Sequence, residues 1–173
     1  MERLWAPWRL GFVEGREADK GPPLPSGCIF CDFPRAHGSP VDDAWDRDRL
    51  VVTTREHAFV IMNKYPYNGG HVMVVPRRHG AGLDALPPPE FLALQELLRE
   101  TVAAVKRAYA PEAMNVGMNL GRAAGAGIAD HVHWHIVPRW NGDTNFMPVV
   151  GGTKVISESL LDAHARLRAA MGA

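Results

Sequence analysis

Residues 131–135 read His-Val-His-Trp-His, an imidazole at every second position. In an extended strand such residues share one face, their Cα atoms about 6.5 Å apart. Adjacent imidazoles resist being cationic together, so at least one nitrogen stays neutral near pH 7. A neutral imidazole is a good nucleophile, and cationic neighbours are good donors to a phosphate. His-x-His on a strand can also chelate zinc, and a merely polar face satisfies the same pattern. Cys28-Ile29-Phe30-Cys31 brings a second chemistry, because its spacing lets two thiolates share one metal. A redox pair or two unlinked thiols fit that spacing as well. Arg77-Arg78 reads as an anion-steering pair or a solvated strand end, and Trp140 as a stacking platform for a base or a packed ring. His37, His57 and His164 read as surface residues without a role, and Met114, Met118 and Met147 as core filling.

The elements that must position these residues follow from local pattern. Leu50–Thr54, Ala58–Met62 and His71–Val75 are short β-branched or aromatic runs, the third stopped by Pro76. Residues 63–70 form a loop by their Pro, Asn and Gly content. Pro87-Pro88-Pro89 opens a helix whose apolar stripe runs through Phe91, Leu94, Leu98, Val102, Val105 and Tyr109 to Pro111. Asn115–Leu120 is a fourth strand, residues 121–127 a small-residue loop, and His131–Val137 a fifth strand closed by Pro138. In that strand Val132, Trp134 and Ile136 point into the core, leaving the three histidines on the other face. A last helix spans about Ser157 to Met171 with Ser157 as N-cap. Strands at hairpin spacing with two main helices predict an α+β fold on an antiparallel sheet.

Composition bounds the function. The chain has 173 residues, 46% apolar and 22% charged, with zero formal net charge, which describes one globular domain. Zero net charge argues against a duplex-binding protein, which needs a basic face. Apolar runs of about six residues fall short of the roughly 20 that a membrane helix requires. Met1-Glu2-Arg3-Leu4-Trp5 does not resemble a signal peptide, and two cysteines cannot build a disulfide framework, so the cytoplasm is the default. Residues 1–27, rich in Gly and Pro, read as an N-terminal arm whose Trp5-Ala6-Pro7-Trp8-Arg9 docks onto its own core, a twin subunit or the roof of a ligand site.

His131-x-His133-x-His135 and the two apolar residues after it resemble the signature of the histidine triad (HIT) family of nucleotidyl hydrolases and transferases. Asn63-Lys64-Tyr65-Pro66 and Gly70-His71-Val72-Met73-Val74-Val75-Pro76 resemble that family's ribose-side loop and second strand, and Asn119-Leu120-Gly121 its phosphate-side turn. The likeness covers residues 28–140. Pro138-Arg139-Trp140, residues 142–146 and 151–156, and the opening Trp-Ala-Pro-Trp-Arg extend it toward the bacterial diadenosine-tetraphosphate phosphorylases, making 28–173 a HIT domain with a C-terminal extension from about 141. The resemblance implies a HIT-like five-stranded antiparallel sheet, a homodimer, and a nucleotide substrate that can bring magnesium. It implies His133 as the nucleophile on the α-phosphate, forming an adenylyl-histidine, with His135 and His71 donating to the phosphate and leaving group. It places Asn63, Asn119, Gly127 and Trp140 around the substrate. It also supplies His79 and His131 to complete a structural zinc site with Cys28 and Cys31. Residues 125–130, Gly-Ala-Gly-Ile-Ala-Asp, lack the Ser, Gln or Thr that relatives carry there, which leaves open whether phosphate or water accepts the adenylyl group.

Overall fold

The computed structural model describes residues 24–151 and 155–173. The tryptophan-containing arm motif at 5–9 therefore lies outside the described residues, as do 152–154 of the C-terminal motif. Five strands, β1 (Val51–Thr54), β2 (Ala58–Met62), β3 (Val72–Pro76), β4 (Ala113–Met118) and β5 (Trp134–Arg139), form one antiparallel sheet in the order β1-β2-β3-β5-β4. Among the described residues, three short α-helices, α1 (Ile29–Asp32), α2 (Asp43–Asp48) and α4 (Met147–Val150), accompany two longer ones, α3 (Pro88–Tyr109) and α5 (Leu160–Met171). The α+β, antiparallel expectation holds.

The sheet is buried on both faces at β2 and β3, which explains why these strands are continuously apolar. On one face, Val60, Val74 and Ile136 pack against Leu94 and Val105 of α3 and Leu167 of α5. On the other, Phe59, Ile61, Met73 and Val75 pack against Cys28 and Phe30. The helix face is a conventional core; the second face carries the histidines. A buried carboxylate, Asp46, binds Arg35 and Arg168 at 2.7 and 3.0 Å and so ties the segment after Cys31 to the C-terminal helix. Among the described residues, no helix is long and apolar enough to cross a membrane.

Several sequence expectations need correction: the fourth strand spans Ala113–Met118 rather than Asn115–Leu120, and the third includes Pro76. The fifth strand begins at Trp134, not His131, and includes Pro138. Its ladder with β3 reaches only from Val72–Ile136 to Val74–Trp134, while Val132 N–H donates to the Gly80 carbonyl instead. Pro138 stands past the end of that ladder, where no N–H toward β3 is required. The last helix starts at Leu160 with Ser159, not Ser157, as N-cap; the Ser159 hydroxyl accepts from Asp162 N–H. His164 is buried, donating from Nε2 to the Val51 carbonyl at 2.8 Å.

Candidate active site and metal centre

Two clusters lie on the histidine face, and the segment 131–133 links them, with His131 in one and His133 in the other. The first gathers Cys28, Cys31, His79 and His131, whose ligand atoms all lie within 4.8 Å of one another. Cys28 sits ahead of α1 and Cys31 within it, His79 follows β3, and His131 precedes β5. The Cys28 and Cys31 sulfurs lie 3.5 and 3.7 Å from His131 Nδ1, and Cys31 lies 3.3 Å from His79 Nδ1. Zn–S near 2.3 Å and Zn–N near 2.0 Å in a tetrahedron place donors about 3.3–3.8 Å apart, which these three separations match. The protonation of the set fits too. His131 Nε2 donates to the Pro76 carbonyl at 2.8 Å, which leaves the Nδ1 lone pair directed at the sulfurs. Burial, then the neighbouring Cys28, pushes the Cys31 thiol up, so a cation is what would hold that sulfur as a thiolate.

The second cluster gathers His71, His133 and His135. His133 is buried, with its Nδ1 2.9 Å from the His131 carbonyl. A carbonyl only accepts, so the His133 proton sits on Nδ1 and Nε2 keeps its lone pair. Burial also holds the His133 pKa below the usual imidazole value, as it does for His131. The ring is therefore neutral at pH 7. Phe30, flanked by the metal-type ligands, supplies much of that burial: its ring centroid lies 5.0 Å from His133 and 5.3 Å from His131.

His71 and His135 form a directed chain. Tyr67 N–H donates to His71 Nδ1 at 3.0 Å, so the His71 proton is on Nε2. That atom lies 3.0 Å from His135 Nδ1, which must accept, leaving the His135 proton on Nε2. The rings of His133 and His135 meet edge to face at 4.8 Å. His71 is fully buried, and its Nε2 faces His135. Gly70 sets its place: an added Cβ would come within 2.7 Å of the Tyr109 ring, so only glycine allows the loop to seat His71 there.

Beside His135 the sheet is open. Directly opposite it on β4 is Gly117, on the same face, and an added Cβ there would meet nothing within 4 Å. Asn119 continues that edge and approaches Gly125 of the small-residue loop. In that loop the amides of Ala124, Gly125 and Ala126 already donate to the carbonyls of Gly121 and Arg122, so fewer N–H groups remain for phosphate than glycine content suggests. Gly127 is exposed there. Asn63 accepts from Tyr65 N–H at 2.9 Å and so shapes the loop leading to His71. Trp140 lies five residues past His135, about 16 Å along the strand, where its ring packs edge-on to Tyr109 at 6.4 Å. Arg77 donates to the Arg35 carbonyl and Arg78 pairs with Glu90, so this pair is structural.

The sequence reading missed Phe30, Tyr67 and Gly117. An isolated glycine inside a strand signals close approach by another group, so Gly117 was findable. Tyr67 acts through its backbone and left no side-chain signal.

A family model described as "HIT domain" matches residues 46–142. A Mycobacterium tuberculosis protein named AP-4-A phosphorylase is 34% identical over 169 residues, covering 96% of this chain and 83% of that protein. The adenosine 5'-monophosphoramidase hnt1 of Schizosaccharomyces pombe is 32% identical over 114 residues, covering 66% of this chain and 75% of hnt1. Among solved structures, a Zn-bound histidine triad family protein from Mycobacterium smegmatis superposes with TM-score 0.58 at 24% identity, covering 71% of this chain and 84% of its own.

Proposed function

The chain belongs to the HIT domain family, and from that premise we propose that it is a nucleotidyltransferase that cleaves diadenosine tetraphosphate at an α-phosphate and passes the adenylyl group to inorganic phosphate. One observation carries the chemistry: His133 is held neutral, with its proton pinned to the His131 carbonyl and its Nε2 lone pair available. That nitrogen attacks the α-phosphorus as the bridging P–O bond breaks, giving adenylyl-His133 and ATP. The imidazole becomes cationic, and the His131 carbonyl, accepting from Nδ1, stabilises the new charge. His135 Nε2–H donates to oxygen on the leaving side. A phosphate oxygen then attacks, the P–N bond breaks, ADP departs and His133 is restored. The match to AP-4-A phosphorylase over 169 residues supports phosphate as acceptor.

A second reading, hydrolysis of a dinucleoside polyphosphate or phosphoramidate by the same intermediate, is favoured by the likeness to hnt1. Incubation with diadenosine tetraphosphate, with and without phosphate, separates the readings: ADP plus ATP supports the first, AMP plus ATP the second. Binding without turnover would leave a nucleotide-binding module and refute both.

Around this centre we assign Asn63, Asn119 and Gly127 to the substrate, with Trp140 contributing only where a base reaches past the end of β5, and magnesium accompanying the polyphosphate. Cys28, Cys31, His79 and His131 would hold a structural zinc, which supplies a fixed cation that pins α1 to the catalytic segment. The two free thiols fit a reducing compartment, the cytoplasm. Edge strand β4, with Val116 and Leu120 exposed, suits pairing with a second copy. Residues 28–173 act as one unit, α5 sharing the core of α3.

A further inference from the structure

The small-residue loop carries a cation that the fold does not use. Every other arginine among the described residues has its guanidinium on a carboxylate, carbonyl, hydroxyl or aromatic ring. Arg122 alone, among the described residues, has none, and it is exposed. It opens the single turn Arg122–Ala124, between Gly121 at φ +81° and Gly125 at φ +90°. Residues 119–133 connect β4 to β5, so this turn hangs between Asn119 at one base and His133 at the other. Ile128 packs on the core beneath the histidine face, which lays the loop over that face.

The reaction geometry says what such a cation meets. His133 is at the buried floor of the site, against Phe30. In-line displacement requires the leaving group opposite the attacking nitrogen, hence directed out from the buried floor, and residues 121–125 of the connection that ends at His133 are exposed. The acceptor later enters by the same path, since it attacks from the side the leaving group vacated. This loop also lacks any Ser, Thr or Gln to meet those phosphate oxygens.

We infer that Arg122 is a specificity-determining residue that binds the phosphates on the leaving side of the substrate, and then the acceptor phosphate in the same place. The inference rests on the proposed adenylyl transfer but concerns a different group. A guanidinium on phosphate is a charge-assisted contact, which at an exposed site corresponds to about tenfold in affinity and weakens with salt.

The test compares substrates with and without leaving-side phosphates. For R122A, kcat/KM on diadenosine tetraphosphate falls about tenfold, whereas on adenosine 5'-(p-nitrophenyl phosphate) it stays within twofold. R122K recovers part of the loss, and the KM for inorganic phosphate rises with R122A. Binding of inorganic tripolyphosphate, measured by calorimetry, weakens about tenfold without any turnover. The melting temperature is unchanged, because Arg122 has no folded-state partner to lose. Equal losses on both substrates, or tripolyphosphate binding that is absent from the wild type or untouched by R122A, overturn the inference. A wild type that binds tripolyphosphate through Arg122 yet never cleaves diadenosine tetraphosphate overturns the proposed function alone.

Discussion

Replacing His71 by Phe tests the directed chain behind the catalytic donor. Phe preserves the planar ring stacked on Tyr67, whose centroid is 4.7 Å away, and removes both ring nitrogens. Two hydrogen bonds disappear: Tyr67 N–H to Nδ1 and Nε2–H to His135 Nδ1, each 3.0 Å long. A buried hydrogen bond lost with its partner left unpaired costs about 1–3 kcal/mol. If His135 must spend that much to regain its Nε2–H tautomer at the transition state, kcat falls about tenfold to a hundredfold. KM stays within about threefold if His71 acts only through His135, because uniform binding is then untouched. Folding loses about 2–3 kcal/mol, a melting shift of about 5–10 °C in a domain of this size. Single-turnover formation of adenylyl-His133 measures the rate, and nitrogen chemical shifts of His135 report its tautomer. His71→Gln, which keeps a donor near the Nε2 position, recovers part of the rate. Wild-type kcat in His71→Phe, or a loss confined to KM with the His135 tautomer unchanged, refutes the chain.

Wild-type protein is expected to carry stoichiometric zinc by elemental analysis. Cys28→Ser/Cys31→Ser lacks the metal and melts well below the wild type, because metal affinity here is folding energy; metal-free wild type of undiminished stability would sink the assignment. Acid should destabilise the fold. Burial lowers the pKa values of His131, His133 and His164 in the folded state, so below the ordinary imidazole value the unfolded chain binds more protons. Stability is thus full above about pH 6.5 and falls as pH drops through that value; the melting temperature declines from pH 7.5 to 5.5, less steeply in His164→Gln, and a flat profile contradicts the burial argument. Gly117→Val fills the open space opposite His135. Steady-state kinetics should show kcat/KM down by at least about tenfold while stability is kept or slightly raised, since a β-branched residue suits a strand; unaltered kinetics would place the substrate elsewhere.

The sheet was legible because side-chain period is a strong signal. The apolar runs of β1 to β3 and the stripe of α3 needed no tertiary information beyond burial. The errors share a physical origin. The alternation at 131–137 is real, but a strand also needs a partner, and Val132 finds Gly80 rather than β3, so β5 starts only at Trp134. His164 reads as a surface residue because helix patterning scores His as polar; a single carbonyl, that of Val51, is enough to satisfy it when buried. The three histidines were grouped by spacing, yet their roles divide by hydrogen-bond direction, which spacing cannot encode. One backbone N–H at Tyr67 and two carbonyls, at Pro76 and His131, orient the rings.

Those two carbonyls join the clusters. His131 faces the sulfurs with Nδ1, is oriented by Pro76 through Nε2, and orients His133 with its own carbonyl. Phe30, two residues from Cys28 and one from Cys31, packs against both imidazoles. Pulling the cysteine segment away therefore both wets His133 and releases the residue that fixes its proton. The Cys-x-x-Cys loop and the alternating histidines, far apart in sequence and each ambiguous alone, constrain one another through residue 131. A metal held there would be structural by coordination, and would act on His133 only through a backbone carbonyl and a phenyl ring.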